Sequence, residues 1–68
     1  MKPLTAAQIA RLLRKHGWAD GPGNGSHRNY RKAGERLLIT VPFHKGKTLP
    51  EGTQLAIMRA AGITREEL

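Results

Sequence analysis

Ala6, Ile9, Leu12 and Leu13 recur at the spacing of one helical face, while Arg11, Arg14 and Lys15 occupy the remainder. Thr5, followed three residues later by Gln8, forms a capping box that starts this helix. The cations near its end suit the negative pole of the helix dipole. Gly17 directly after His16 predicts a left-handed C-terminal cap. The period then changes. Trp18-Ala19-Asp20 reads as a short strand, and Gly21-Pro22-Gly23-Asn24-Gly25 forbids regular structure. Ser26 to Arg31 alternates as one strand, and Lys32-Ala33-Gly34-Glu35 reads as a hairpin turn. Arg36 to Val41 is the clearest strand, with Leu37, Ile39 and Val41 pointing one way and Leu38 and Thr40 the other. Pro42 ends it.

A polar loop from Phe43 to Leu49 precedes a second helix. Thr48 is expected to cap it, with Glu51 as the reciprocal partner and Pro50 inside the first turn. Leu55, Met58 and Ala61, flanked by Ile57, form its buried stripe, and Gly62 closes it. Thr64-Arg65-Glu66-Glu67 repeats the capping-box pattern and predicts a final helical turn. The order is helix, two or three antiparallel strands, helix. It predicts one α+β domain over residues 1–68, with a single sheet under two helices.

A chain of 68 residues buries only about 60% of the surface its unfolded form exposes. Without cysteine, neither a disulfide nor a thiolate metal site can staple it. No apolar run is long enough for a signal peptide or a membrane span, and the chain reads as cytoplasmic. Twelve Lys and Arg against five acidic residues give a formal charge of +7, which implies an anionic partner. Arg28, Arg31, Lys32, Arg36, Lys45 and Lys47 lie in the sheet region and the loop after it. They do not line an apolar helix, so nucleic acid fits better than a membrane surface.

The chemistry centres on Gly25-Ser26-His27-Arg28. A two-metal nuclease needs clustered carboxylates, whereas Asp20, Glu35, Glu51, Glu66 and Glu67 are few and scattered. His16, His27 and His44 lack zinc-site spacing, so no metal or small-molecule cofactor is expected. A metal-independent route for RNA remains. The ribose 2′-OH attacks phosphorus, a base takes its proton, an acid protonates the 5′-oxygen and cations stabilise the developing charge. His27 can serve as base or acid. Arg28, Arg31, Lys45 or Lys47 can neutralise the phosphate, Gly25 admits a close backbone approach, and Ser26 can hydrogen-bond the phosphate or fix the strand entry. Alternation puts His27 on the polar face with Asn29 and Arg31, opposite Tyr30. The residues alone leave a catalytic His27 and an idle surface histidine equally open. His16 reads as a structural partner of the helix dipole. His44 reads as a second proton-transfer group or, preferably, a loop-fixing donor. Lys45-Gly46-Lys47 before a helix is an anion-binding pattern or a solvated loop. Trp18 and Tyr30 read as core residues ahead of base-stacking ones.

Gly25-Ser26-His27, Val41-Pro42-Phe43-His44, and Leu49-Pro50-Glu51-Gly52-Thr53 followed by Ala61-Gly62-Ile63 resemble HicA-type toxins over nearly the whole chain. The resemblance implies a double-stranded-RNA-binding-like α-β-β-β-α fold and ribosome-independent cleavage of mRNA. It also implies catalysis by the histidine of the Gly-Ser-His motif, here His27. The partners it implies are RNA and a HicB-type antitoxin protein that covers the active face. The sequence departs from the family at Gly21-Pro22-Gly23-Asn24, where members carry a fuller first strand. Two other readings stay open: a non-catalytic RNA-binding module of the same fold, and a protein-interaction module that meets only an acidic partner.

Overall fold

The computed structural model describes residues 1–21, 23 and 25–68; Pro22 and Asn24, from the glycine-rich stretch, lie outside the described residues. Helix α1 runs Ala6–Lys15. Its capping box forms as expected: the Gln8 N–H donates to Thr5 Oγ1 at 3.2 Å, and the Thr5 N–H donates to Gln8 Oε1 at 2.8 Å. Two orphan amides of the first turn are thereby satisfied. At the other end Gly17 takes φ +91°. The Trp18 N–H returns to the Leu13 carbonyl and the Gly17 N–H to that of Arg14, the paired bonds of a Schellman motif. That reversal drops Trp18 into the core beneath the helix.

Three antiparallel strands follow in the order β1 (Ala19–Asp20), β2 (His27–Arg31) and β3 (Ile39–Pro42). On β1, Ala19 lies opposite Arg31 and Asp20 opposite Tyr30; on β3, Pro42, Val41, Thr40 and Ile39 lie opposite His27, Arg28, Asn29 and Tyr30. Residues directly opposite share a face. Tyr30, Ile39 and Val41 are buried and therefore mark the helix-covered face. His27, Asn29, Arg31, Thr40 and Pro42 belong to the other face, which no helix covers.

The strand expected from Arg36 to Val41 is shorter than its pattern. It starts at Ile39, and Arg36 to Leu38 fall in the connection that begins with the Lys32–Glu35 turn. Tyr30 opposite Ile39 is the last β2–β3 pair. Leu37 has the parity of Ile39 and Val41 but lies beyond that pair, and it is 80% exposed. Leu38 has the open-face parity and is 49% exposed.

Helix α2 spans Glu51–Ala61 and ends at Gly62, φ +74°, with the Ile63 N–H on the Met58 carbonyl. Its start corrects the expectation for Thr48. Thr48 pairs with Thr5 in an antiparallel bridge, and the Leu49 N–H donates to the Leu4 carbonyl at 2.7 Å. The chain is thus still extended when it reaches Pro50, which occupies the N-cap without a side-chain bond. The buried stripe of α2 is Gln54, Ile57, Met58 and Ala61, with Leu55 only half-buried. Gln54 is fully buried. Its Oε1 accepts from the Leu4 N–H and its Nε2 donates to the Lys2 carbonyl, both at 2.8 Å. The last turn, the 3-10 helix η1 (Arg65–Glu67), carries the expected Thr64–Glu67 capping box. One core joins both helices to the sheet through Ile9, Leu13, Trp18, Tyr30, Val41, Ile57 and Met58.

Candidate functional site

His27 opens β2 and is exposed. Its ring stands on the open face, as alternation predicts, with Asn29 and Arg31 following on the same side. Ser26 Oγ lies 3.4 Å from His27 Nδ1, a long and therefore weak contact. Two residues along, Thr40 Oγ1 donates to Asn29 Oδ1 at 2.6 Å and ties β2 to β3 across this face. Arg31 stands four residues from His27, about 13 Å along an extended strand. That spacing is too long for both side chains to meet a single phosphate group.

Gly21 and Gly23 lie close beside this strand. The Gly21 N–H donates to the Asn29 carbonyl at 2.7 Å. A Cβ on Gly23 would meet the His27 carbonyl oxygen at 2.9 Å and the Asn29 nitrogen at 3.2 Å. Backbone thus lies where only glycine fits, against the strand that carries the histidine. The short β1 ends at Asp20, as the departure in this stretch led one to expect. Gly25 takes φ +65° with open space above it, so the backbone there is accessible to a ligand.

The predicted cations do not converge on His27. Arg28, one residue on, emerges on the helix side, where its guanidinium carbon lies 4.3 Å from the centroid of the Phe43 ring. Here the ladder continues past the strand ends, with the Phe43 N–H donating to the Ser26 carbonyl. A groove of about 580 Å³ opens beside this pair; Gly25, Ser26, Arg28, Phe43, His44 and Lys45 line one side and the first turn of α1 the other. Among the described residues no carboxylate lines it, and the first turn of α1 carries none. Lys47 is exposed outside that lining, in the turn where its N–H donates to the His44 carbonyl. Ser26, Arg28 and Lys45 are therefore brought together, His27 and Arg31 share the opposite face, and Lys47 joins neither group.

Phe43 is the participant that sequence patterning passed over. Its signal was an aromatic two residues beyond Val41, hence on the face of Arg28. His16 performs the structural duty expected of it: as C-cap of α1 it places Nε2 2.6 Å from Glu67 Oε1. The Thr64 N–H and then His16 hold the Glu67 carboxyl below its ordinary range. Trp18 and Tyr30 are core residues, and neither Trp18 Nε1 nor the Tyr30 hydroxyl has a hydrogen-bond partner among the described residues. Burial pushes the Tyr30 phenol up, with Asp20 adding to the shift and Arg14 and Arg28 opposing it. Among the described residues no three His, Asp or Glu side chains cluster as a metal site would require, and no helix is long and apolar enough to cross a membrane.

A family model described as the HicA toxin of bacterial toxin–antitoxin systems aligns with residues 6–63, from the first residue of α1 to the residue after the Gly62 cap. No curated protein sequence matches the chain.

Proposed function

The chain belongs to the HicA family of toxins from bacterial toxin–antitoxin systems, and from that premise we propose a metal-independent endoribonuclease that cuts mRNA with His27 as general acid–base group. The observation that carries this reading is the position of His27: exposed, on the uncovered face, at the end of a basic strand. An imidazole can both accept and deliver a proton, which suits it to general acid–base work. In the reaction it accepts the proton of the ribose 2′-OH as that oxygen attacks phosphorus, or delivers one to the departing 5′-oxygen. Ser26 meets the ring at Nδ1 and leaves Nε2 for the substrate. Gly25 allows the RNA backbone to approach the strand entry, and Arg31 extends the cationic track along the open face. Arg28 and Lys45 hold RNA on the helix side, with Lys47 as a peripheral contact. DNA lacks the 2′-OH and escapes cleavage.

The family membership implies an antitoxin partner. We read it as a HicB-type protein that covers the open face and so screens His27 from RNA. The whole chain is read as one double-stranded-RNA-binding-like domain acting in the cytoplasm without cofactor. Induced expression of wild type and His27→Ala in bacteria tests the enzyme. Wild type is expected to arrest growth and degrade mRNA, whereas the alanine variant loses about 10²–10⁴-fold in cleavage rate. Equal degradation by the two would remove His27 from the mechanism. RNA that is bound but left intact by the purified wild type in EDTA would favour a non-catalytic RNA-binding module.

A further inference from the structure

We infer that the helix-side groove beside Arg28 is a nucleobase subsite, in which one base of single-stranded RNA stacks on the guanidinium plane that Phe43 holds from behind. The inference rests on the nuclease reading for its ligand class but on different residues for its chemistry. A free arginine on a strand sweeps many rotamers and grips phosphate as a mobile charge. Arg28 is held differently: the Phe43 ring lies 4.3 Å from its guanidinium carbon, a cation–π contact that fixes the planar group. Arg28 is nevertheless exposed, so the plane turned away from Phe43 stays accessible. RNA bases unstacked from their neighbours pack on such guanidinium planes.

The surroundings fit a nucleotide. The groove has room, at about 580 Å³, and its lining among the described residues includes Arg28, Lys45 and His44 and no carboxylate. Ala6 and Ala7 add apolar surface to its lining beside Phe43. A base therefore finds apolar surface, and its phosphates find cations at the rim. The location also explains why adjacent residues serve opposite faces. His27 and Arg28 are neighbours in β2, the last residues of its ladder with β3, at Pro42 and Val41. A strand passing around this end of the sheet can present a phosphate to His27 while tucking an adjacent base against Arg28. Preference for the base beside the cut would arise in the groove and not on the catalytic face.

The test uses binding, separately from cleavage. Single-stranded RNA with 2′-fluoro sugars cannot supply the nucleophile, and a series carrying one abasic residue walked along the strand is titrated against the full chain. Wild type should bind one position of the series about 10-fold more weakly than intact RNA. Arg28→Lys keeps the charge without the plane, and should bind all members within about 2-fold with an unchanged salt slope. Phe43→Leu keeps the apolar contact without the ring and should also flatten the profile; far-UV circular dichroism checks that both variants fold. A flat profile for wild type, or a wild-type profile for Arg28→Lys, overturns the subsite. So does a groove variant that binds every RNA as wild type does and loses only the antitoxin. A failed subsite leaves His27-dependent cleavage untouched, and a failed nuclease reading leaves the abasic profile untouched.

Discussion

A Cβ placed on Gly23 would stand 2.9 Å from the carbonyl oxygen of His27. Gly23 thus lies backbone against backbone beside the strand that carries the imidazole. Gly23→Ala forces either the approach or β2 to shift by several tenths of an ångström. The shift falls at the end of the sheet, away from the buried core. RNA cleavage by Gly23→Ala is expected to fall by up to about 100-fold, with a far-UV spectrum like wild type. Single-turnover cleavage measured beside thermal melting checks it, and full activity would show that the approach does not position His27.

Tyr30 presents the reverse situation, a side chain in a good place with one atom in a poor one. Its ring packs in the core, yet its hydroxyl is buried without a partner among the described residues. Leaving such a group unsatisfied costs about 1–3 kcal/mol. Tyr30→Phe keeps the ring and the 5.9 Å approach of Arg14 above it while removing the unsatisfied oxygen. Its melting temperature should equal or exceed that of wild type. A clear drop in chemical denaturation would mean that the hydroxyl is bonded after all.

Glu67 confers a pH dependence whose direction follows from its contacts. The Thr64 N–H and His16 Nε2 favour its charged form and lower its pKa from the ordinary 4.5. Below that ordinary value the unfolded chain takes up a proton before the folded chain does. Stabilisation by Glu67 is therefore complete above about pH 5 and is lost as pH falls through the lowered folded value. Glu67→Gln should melt below wild type at pH 6, and the gap should narrow as pH is taken progressively below 4.5. A gap that stays constant over the whole acid range would assign the effect to packing.

Leu37 and Ile39 carry the same alternation signal and should behave differently. Leu37→Ser, at a site 80% exposed, should change stability by less than about 0.5 kcal/mol. Ile39→Ala, in the core, should cost about 2–5 kcal/mol. Urea titration of the two variants separates a strand that begins at Leu37 from one that begins at Ile39.

The contrast shows which parts of the molecule were legible in the sequence. The caps at Thr5, Gly17, Gly62 and Thr64 were readable because each is closed by residues within a few positions of itself. The face of His27 was readable for the same reason, since alternation is local. Where β3 begins was not, because the alternation continues through Leu37 after pairing with β2 has stopped. Thr48 looked like a cap until its backbone was claimed by Thr5, a partner distant in sequence. The separation of Arg28 from His27 was implicit in their adjacency, but the seat of Arg28 on Phe43 depends on cross-strand register. Composition showed that cations were present and not which surface each would serve.

The buried amide of Gln54 bears on the groove without lining it. By holding Leu4 and Lys2 it anchors the segment from which α1 departs, and Leu4 in turn holds Leu49 while Thr5 holds Thr48. The wall made by the first turn of α1 is thereby cross-braced to the chain that leaves Phe43 and Lys45 on the other side. Hydrogen bonds to α2 and between the two segments thus tie both walls of the groove to one scaffold, so a substitution at Gln54 would disturb the groove without touching anything that occupies it.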